Sequence, residues 1–348
     1  MASNVGRRRS RLALRLGGLL ISLAALWLVI QSVDLGACAR VLSGANPAPL
    51  VVCLAVIAIQ VALRSVRWRL LLPAPRRGGG IALKRIVPVL LIGYLGNTVL
   101  PARLGEPIRA YLVARREDLD AAEAFGSVVL ERVVDTATLA VVAFAAAVVV
   151  RAPSWIVQAT AVAAIAGTAV TVALVVIGPG PLVRATRRIA AHVPGAARIE
   201  PVLVRLDDFA RGIDRPARSR AIVAAAVISA ACWMLDATTF WLVARSVGTP
   251  LDPAAALLIA SVTVLGTALP SAPGYVGTFE LAAATTAQAL GVAAVPALAL
   301  AVLAHAMTVL PIACAGAVSL IALDARLGLL ATEAAGAEDA LGEAVSQS

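Results

Sequence analysis

Glu280 is the only acid or strong base between Asp252 and Asp324 in this 348-residue chain. Placing an ionised side chain at the centre of a membrane helix costs about 2.5–3.5 kcal/mol on insertion scales, so such residues carry a partner or a task. Glu280 therefore reads either as a carboxylate facing a polar cavity and paired with a cation, or as a protonated, neutral acid. Glu131, Arg132 and Asp135 form a second group. Glu131 and Asp135 are spaced i,i+4 and share a helical face, and Arg132 lies three before Asp135, within pairing reach. This cluster reads either as part of a polar path or as a salt bridge at the end of a span. Asn97, Arg103, Glu106 and Arg109 form a third group beside a segment rich in Pro and Gly. Arginine offers a planar fork suited to phosphate, and a broken helix exposes backbone N–H groups. Arg103 and Arg109 thus suit a lipid head group, as basic pockets between helices do. Alternatively they snorkel to the interface. Asp236 calls for a basic partner from another helix, and His305 reads first as a packing histidine.

Other chemistries find no support. Cys38, Cys53, Cys232 and Cys314 are scattered without CxxC spacing, and His192 and His305 are far apart. No disulfide framework, metal site or cofactor is implied. The formal net charge of +10 does not point to nucleic acid, because the arginines sit in loops between apolar runs, as the positive-inside rule describes.

These groups need a scaffold, and composition names it. Hydrophobic residues make up 60% of the chain and charged residues 14%, against about 45–50% and 25% in soluble domains. Runs such as Leu16–Val33 and Ala152–Val183 are uncharged and long enough to span as helices. The fold class is an all-α polytopic membrane protein with about six transmembrane helices and two re-entrant or broken ones. Residues 1–15 carry Arg7, Arg8, Arg9, Arg11 and Arg15, which places this end in the cytoplasm. A cleaved signal sequence is the competing reading of the first run, but the run is longer than a usual signal core. The membrane domain covers residues 16–323. Spans are expected near Leu16–Val33, Leu50–Leu70, Ala124–Val150, Trp155–Ile177, Ala221–Val243 and Val295–Leu323. Arg64, Arg67, Trp68 and Arg69, at the end of the second, read as snorkelling to the interface. The segment Arg103–Glu123 mixes signs and is expected at the cytoplasmic surface. Residues 182–220 form a basic cytoplasmic connector, either a solvated loop or one containing an amphipathic helix near Val202–Ile213. Residues 324–348 form an acidic, poorly ordered cytoplasmic tail. Both termini are then cytoplasmic, in the cell's inner membrane.

Ile86–Ala102 and Leu257–Leu290 are the interrupted segments. Pro101 and Gly105 mark the hinge of the first; Pro270, Pro273, Gly274 and Gly277 mark the second. Each reads Leu-Pro, then Gly, then Glu, and the topology sends them in from opposite sides. That is the pattern of an inverted repeat, and paired broken segments point to a transporter's site. Coincidence is the alternative, since Pro and Gly are common in membrane helices.

The run from Gly96 to Tyr111, then Glu131-Arg132-Val133-Val134-Asp135, then Pro270 to Glu280 resembles in order the signature of the lysylphosphatidylglycerol synthase transmembrane family, also called flippase-like domain proteins. The resemblance spans roughly Arg11–Leu323. It implies a domain that moves or presents lipids, which larger members join to a soluble aminoacyl-transferring domain. The sequence after Asp324 leaves no room for such a domain, so lipid translocation is the expectation and aminoacyl transfer is not. Tyr275 departs from the pattern, where a small residue such as Gly is common. The expected partners are membrane lipids and a lipid-synthesising or glycosyltransferase enzyme. The alternatives are a membrane-bound glycosyltransferase or aminoacyltransferase, or a non-transporting scaffold.

Overall fold

The computed structural model describes residues 34–100, 103–192, 199–267 and 272–346, together with Ala24, Trp27 and Leu28, with side chains described as far as Leu323. The expected first span, Pro101 and Pro270 lie outside these residues, the span but for its three described positions.

The described residues form twelve α-helices and one 3-10 turn, with no strand among them. The helices are α1 Leu35–Ser43, α2 Pro47–Leu71, α3 Leu83–Val99, α4 Gly105–Glu117, α5 Ala121–Val149 and α6 Ser154–Val176. They continue with α7 Gly180–Ala191, α8 Glu200–Ala217, α9 Ala221–Ser246, α10 Pro253–Gly266, α11 Thr278–Ala289 and α12 Ala294–Ser346. Five are long and apolar enough to cross a membrane: α2, α5, α6, α9 and the Ala294–Leu323 part of α12. Their bounds follow local chemistry. Asn46 caps α2 by accepting from the Ala48 N–H, and Pro47 occupies its first turn. Asp120 caps α5 by accepting from Ala122 and Glu123. Such caps satisfy amides that the first helical turn leaves without partners. Val162, Ile165 and Val176 stand exposed along α6, an apolar surface suited to lipid. The backbone of α12 stays helical past Asp324, to Ser346.

The two interrupted segments are helical hairpins. In the first, α3 packs against α4. Leu100 leaves the helix in extended conformation, as expected of a residue that precedes proline. Arg103 then adopts φ 53° and α4 begins at Gly105. A Cβ built on Gly105 would sit 1.8 Å from the Gly93 carbonyl oxygen. Only glycine permits this approach of the two backbones, so Gly105 is a contact residue and the left-handed turn falls at Arg103. At the open end, Arg85 at the start of α3 pairs with Glu117 at the end of α4 at 3.1 Å. Both ends of the hairpin therefore lie together, next to Asp120, which pairs with Arg76 at 3.4 Å.

In the second hairpin α10 packs against α11. The reversal contains Gly274 (φ 72°), Tyr275 (φ 61°) and Gly277 (φ 86°), with Pro273 opening the 3-10 turn. Tyr275 holds a backbone conformation that favours glycine. Leu257, near the start of α10, shares an apolar cluster with Ala289 and Leu290 at the end of α11. Ala146 and Ala147 near the end of α5 and Ile156 near the start of α6 belong to that cluster. The hairpins are thus based at opposite ends of α5, a 29-residue helix about 43 Å long.

The expected half-helix and last span appear as α11 and α12, and the expected amphipathic helix of the connector appears as α8, preceded by α7. A close approach of Gly126 to Gly212 seats α8 on α5.

Candidate functional site

The two hairpins meet at their breaks. Arg103 Nη2 donates to the Thr267 carbonyl oxygen at 3.0 Å, and its guanidinium lies 5.7 Å from the Tyr275 ring centroid. A Cβ built on Gly274 would stand 3.7 Å from the Thr98 carbonyl. Tyr275 stands where a small residue such as Gly is common in the pattern. Its ring stands within cation–π range of the arginine from the opposite hairpin.

Behind the first hairpin lies a buried charge cluster built on α2, α4, α5 and α9. Arg67, 1% exposed, donates through Nε and Nη2 to Glu131 Oε1 at 3.2 and 2.9 Å, through Nη1 to Ser229 Oγ at 2.6 Å, and through Nη1 to Asp135. Glu131 turns its other oxygen to Arg109 Nη2 at 2.7 Å. Arg109 is also 1% exposed and its guanidinium lies 4.6 Å from the Trp68 ring. Arg132 approaches Glu106 at 2.6 Å and Asp135 at 3.9 Å. Arg64 pairs with Asp236 at 2.9 Å, and its guanidinium lies 5.9 Å from the rings of Tyr94 and Trp233. Four arginines (64, 67, 109, 132) thus face four acids (106, 131, 135, 236), so the cluster is neutral in formal charge. Buried ions persist only when matched in this way, because an unpaired one costs several kcal/mol.

The matching leaves donors unused. Arg109 Nε and Nη1, Arg64 Nε and the Tyr94 hydroxyl are buried without a hydrogen-bond partner, as is the acceptor Asn97 Oδ1. Buried polar atoms are nearly always satisfied, by protein, water or ligand. These atoms keep hydrogen-bonding capacity that the described residues do not use.

A separate polar set holds the second hairpin. His305 on α12 places Nδ1 2.5 Å from Glu280 Oε1 and Nε2 2.8 Å from the Gly274 carbonyl oxygen. The Gly277 N–H donates to Glu280 Oε2 at 2.7 Å, capping α11. A carbonyl only accepts, so Nε2 carries a proton. One further proton then lies between Nδ1 and the carboxylate, either as an ion pair or as a neutral pair. The His305 ring also stacks on Phe279, with centroids 4.4 Å apart.

Of the residues singled out in the sequence, Glu106, Arg109, Glu131, Arg132 and Asp135 join one network. Asn97 lies against Gly105 across the first hairpin. Arg103 reaches the second hairpin instead, so Arg103 and Arg109 take different partners. Glu280 has His305 as its partner and, among the described residues, no hydrogen bond or ion pair to the arginine cluster. Pro273, Gly274 and Gly277 form the second reversal. Two expectations need correction. Arg64 and Arg67 do not snorkel outward; acids on α5 and α9 draw them inward. Arg109 lies in the core rather than at the surface, because α4 folds back along α3. His305 is a buried, satisfied packing histidine, as expected, and it bridges α11, α12 and the reversal. The available signal was the i,i+3 spacing of Arg64 and Arg67 in an apolar helix, which puts both on one face.

Comparisons with known proteins agree with this architecture. The glycosyltransferase AglD of Haloferax volcanii is 28% identical over 355 aligned residues, covering 92% of this chain and 56% of that protein. The UPF0104 membrane protein MJ1595 of Methanocaldococcus jannaschii is 28% identical over 121 residues, covering 34% of this chain and 35% of that protein. The chain therefore spans little more than half the length of the first relative and about a third of the second. No solved structure matches. Residues 15–316 match the family model described as the lysylphosphatidylglycerol synthase TM region. Helices long enough to span, two broken hairpins and a match over most of the chain lead to one conclusion: this multi-pass membrane protein belongs to the lysylphosphatidylglycerol synthase transmembrane family.

Proposed function

We propose that this protein binds an anionic lipid head group between its two hairpins and moves it across the membrane. The observation that carries this reading is the meeting of two oppositely based hairpins at Arg103 and Thr267, beside buried arginines with unused donors. In this reading both hairpins are re-entrant and their breaks lie near the bilayer midplane, where irregular backbone is tolerated only against protein or water. Arg103 and Arg109 hold the head group. Glu106, Glu131, Arg132 and Asp135 line the polar path, and Glu280 fixes the second reversal. The protein sits in the inner membrane with both termini in the cytoplasm. Lipids retained through gentle solubilisation, identified by native mass spectrometry, test the binding step. Anionic lipids should be enriched in the wild type and lost from Arg109→Ala; an unselective lipid profile in both proteins contradicts the reading.

A second reading follows from one relative, the glycosyltransferase AglD. Here the chain is a membrane partner that presents lipid to a glycosyltransferase, or carries such an activity itself. A stable enzyme partner on purification, or sugar transfer by the purified protein, together with no lipid movement in vesicles, favours this reading.

A further inference from the structure

We propose that α7 lies flat on the membrane surface at the arginine-rich end of the bundle, docked on anionic lipid. The inference rests on the membrane-spanning architecture alone and holds whether or not the hairpins carry lipid.

The surface of α7 divides into three parts at 100° per residue. Val183, Arg187 and Ala190 face α8: Val183 and Ala190 are buried, and Arg187 pairs with Glu200 at 3.3 Å and with Asp207. Leu182 and Ile189 lie together on another side, each 70% exposed. Arg184 and Arg188 occupy the arc between, and among the described residues neither pairs with an acid. An apolar side with unneutralised arginines on another side is the composition of a helix that beds in the interface. Water is a poor environment for the stripe, and lipid phosphates supply the missing countercharge.

Chain continuity puts the helix at the right level. The spanning helix α6 ends at Val176, with Val176 and Ile177 exposed to the surrounding medium. Four residues later α7 begins, after Gly178 turns the chain with φ 71°. Below, α8 is fixed to α5 by Arg211 and Arg215, which reach Glu123 at 3.0 and 3.4 Å. The exposed side of α7 therefore starts at the membrane edge on a rigid support.

The test uses the full chain in vesicles of zwitterionic lipid with or without anionic lipid, in a Cys314→Ser background that removes the exposed thiol. Ile189→Cys carries an environment-sensitive nitrobenzoxadiazole label. Val162→Cys on α6 serves as the lipid reference and Arg77→Cys, with an 89% exposed side chain, as the aqueous one. The label at 189 should be quenched by shallow spin-labelled lipid and protected from iodide when anionic lipid is present. Two arginines near an anionic surface weight the docked state about 30-fold, so Arg184→Ala with Arg188→Ala should weaken docking by that order and return the label toward the aqueous reference. Iodide quenching equal to position 77 in both vesicle types overturns the proposal. Protection from both quenchers also overturns it, because protein, such as a second copy of the chain, would then cover the stripe.

Discussion

Arg103 donates to the carbonyl of Thr267 over 3.0 Å, and this bond joins the turn of one hairpin to the break of the other. Arg103 also holds φ 53°, a conformation that costs a side-chain-bearing residue energy. The turn alone would be satisfied by glycine. The arginine is explained by the contact it makes.

Arg103→Gly therefore separates the two contributions. It should relax the turn, offset the lost hydrogen bond of about 1 kcal/mol, and leave the thermal midpoint nearly unchanged. Lipid translocation should fall several-fold. Unfolding in detergent and transport in proteoliposomes, measured on one preparation, check this; unaltered transport would remove Arg103 from the site.

Arg64 and Asp236 permit a double-mutant cycle. Arg64→Met leaves a buried carboxylate without its cation and should cost about 3–5 kcal/mol. Adding Asp236→Leu should restore much of that loss, since the second buried charge is then gone. A double variant no more stable than Arg64→Met would mean that the pair is not coupled as the 2.9 Å contact implies.

Glu280 is open to a conservative test. Glutamine can accept from the Gly277 N–H with its oxygen and donate to His305 Nδ1 with its amide, while Nε2–H still serves Gly274. Glu280→Gln should retain wild-type stability, whereas Glu280→Ala strands two buried groups and should lose about 1–3 kcal/mol for each. If Glu280→Gln folds normally yet abolishes transport, the shared proton takes part in transport. Equal stability of the Gln and Ala variants would argue against the cap and the bridge together.

Gly105→Ala should disrupt the first hairpin, since its Cβ would fall 1.8 Å from the Gly93 carbonyl. Overpacking costs about 1–3 kcal/mol where neighbours can yield; here the neighbour is backbone, so the loss should be at or above that range. Gly80→Ala, with nothing within 4 Å, serves as the neutral control in the same thermal unfolding assay.

Much of this architecture is readable from residue order. Long uncharged runs yield α2, α5, α6, α9 and α12. The residue types at the two breaks announce hairpins, and the i,i+4 spacing of Glu131 and Asp135 announces one acidic face. The partners of those acids are not readable in the same way. Arg67 lies 64 residues before Glu131 and Arg64 lies 172 before Asp236, and no local pattern reports contacts that only the packing of α2 on α5 and α9 creates. An arginine near a helix end looks the same in sequence whether it bends out to the interface or inward to a carboxylate. His305 shows the same limit, because its role comes from facing Glu280 and Gly274 together. Tyr275 is legible as a departure from glycine, while the left-handed turn it occupies and the Arg103 guanidinium that its ring faces are visible only in three dimensions.

Carriage of an anionic lipid by the paired hairpins is measured by the inward and outward movement of a fluorescent anionic lipid in proteoliposomes, read by dithionite accessibility. Wild-type protein should move the lipid faster than protein-free vesicles, and Arg109→Ala should lose most of that excess while remaining folded and inserted. A wild-type rate equal to that of empty vesicles, or an Arg109→Ala rate equal to wild type, would contradict it.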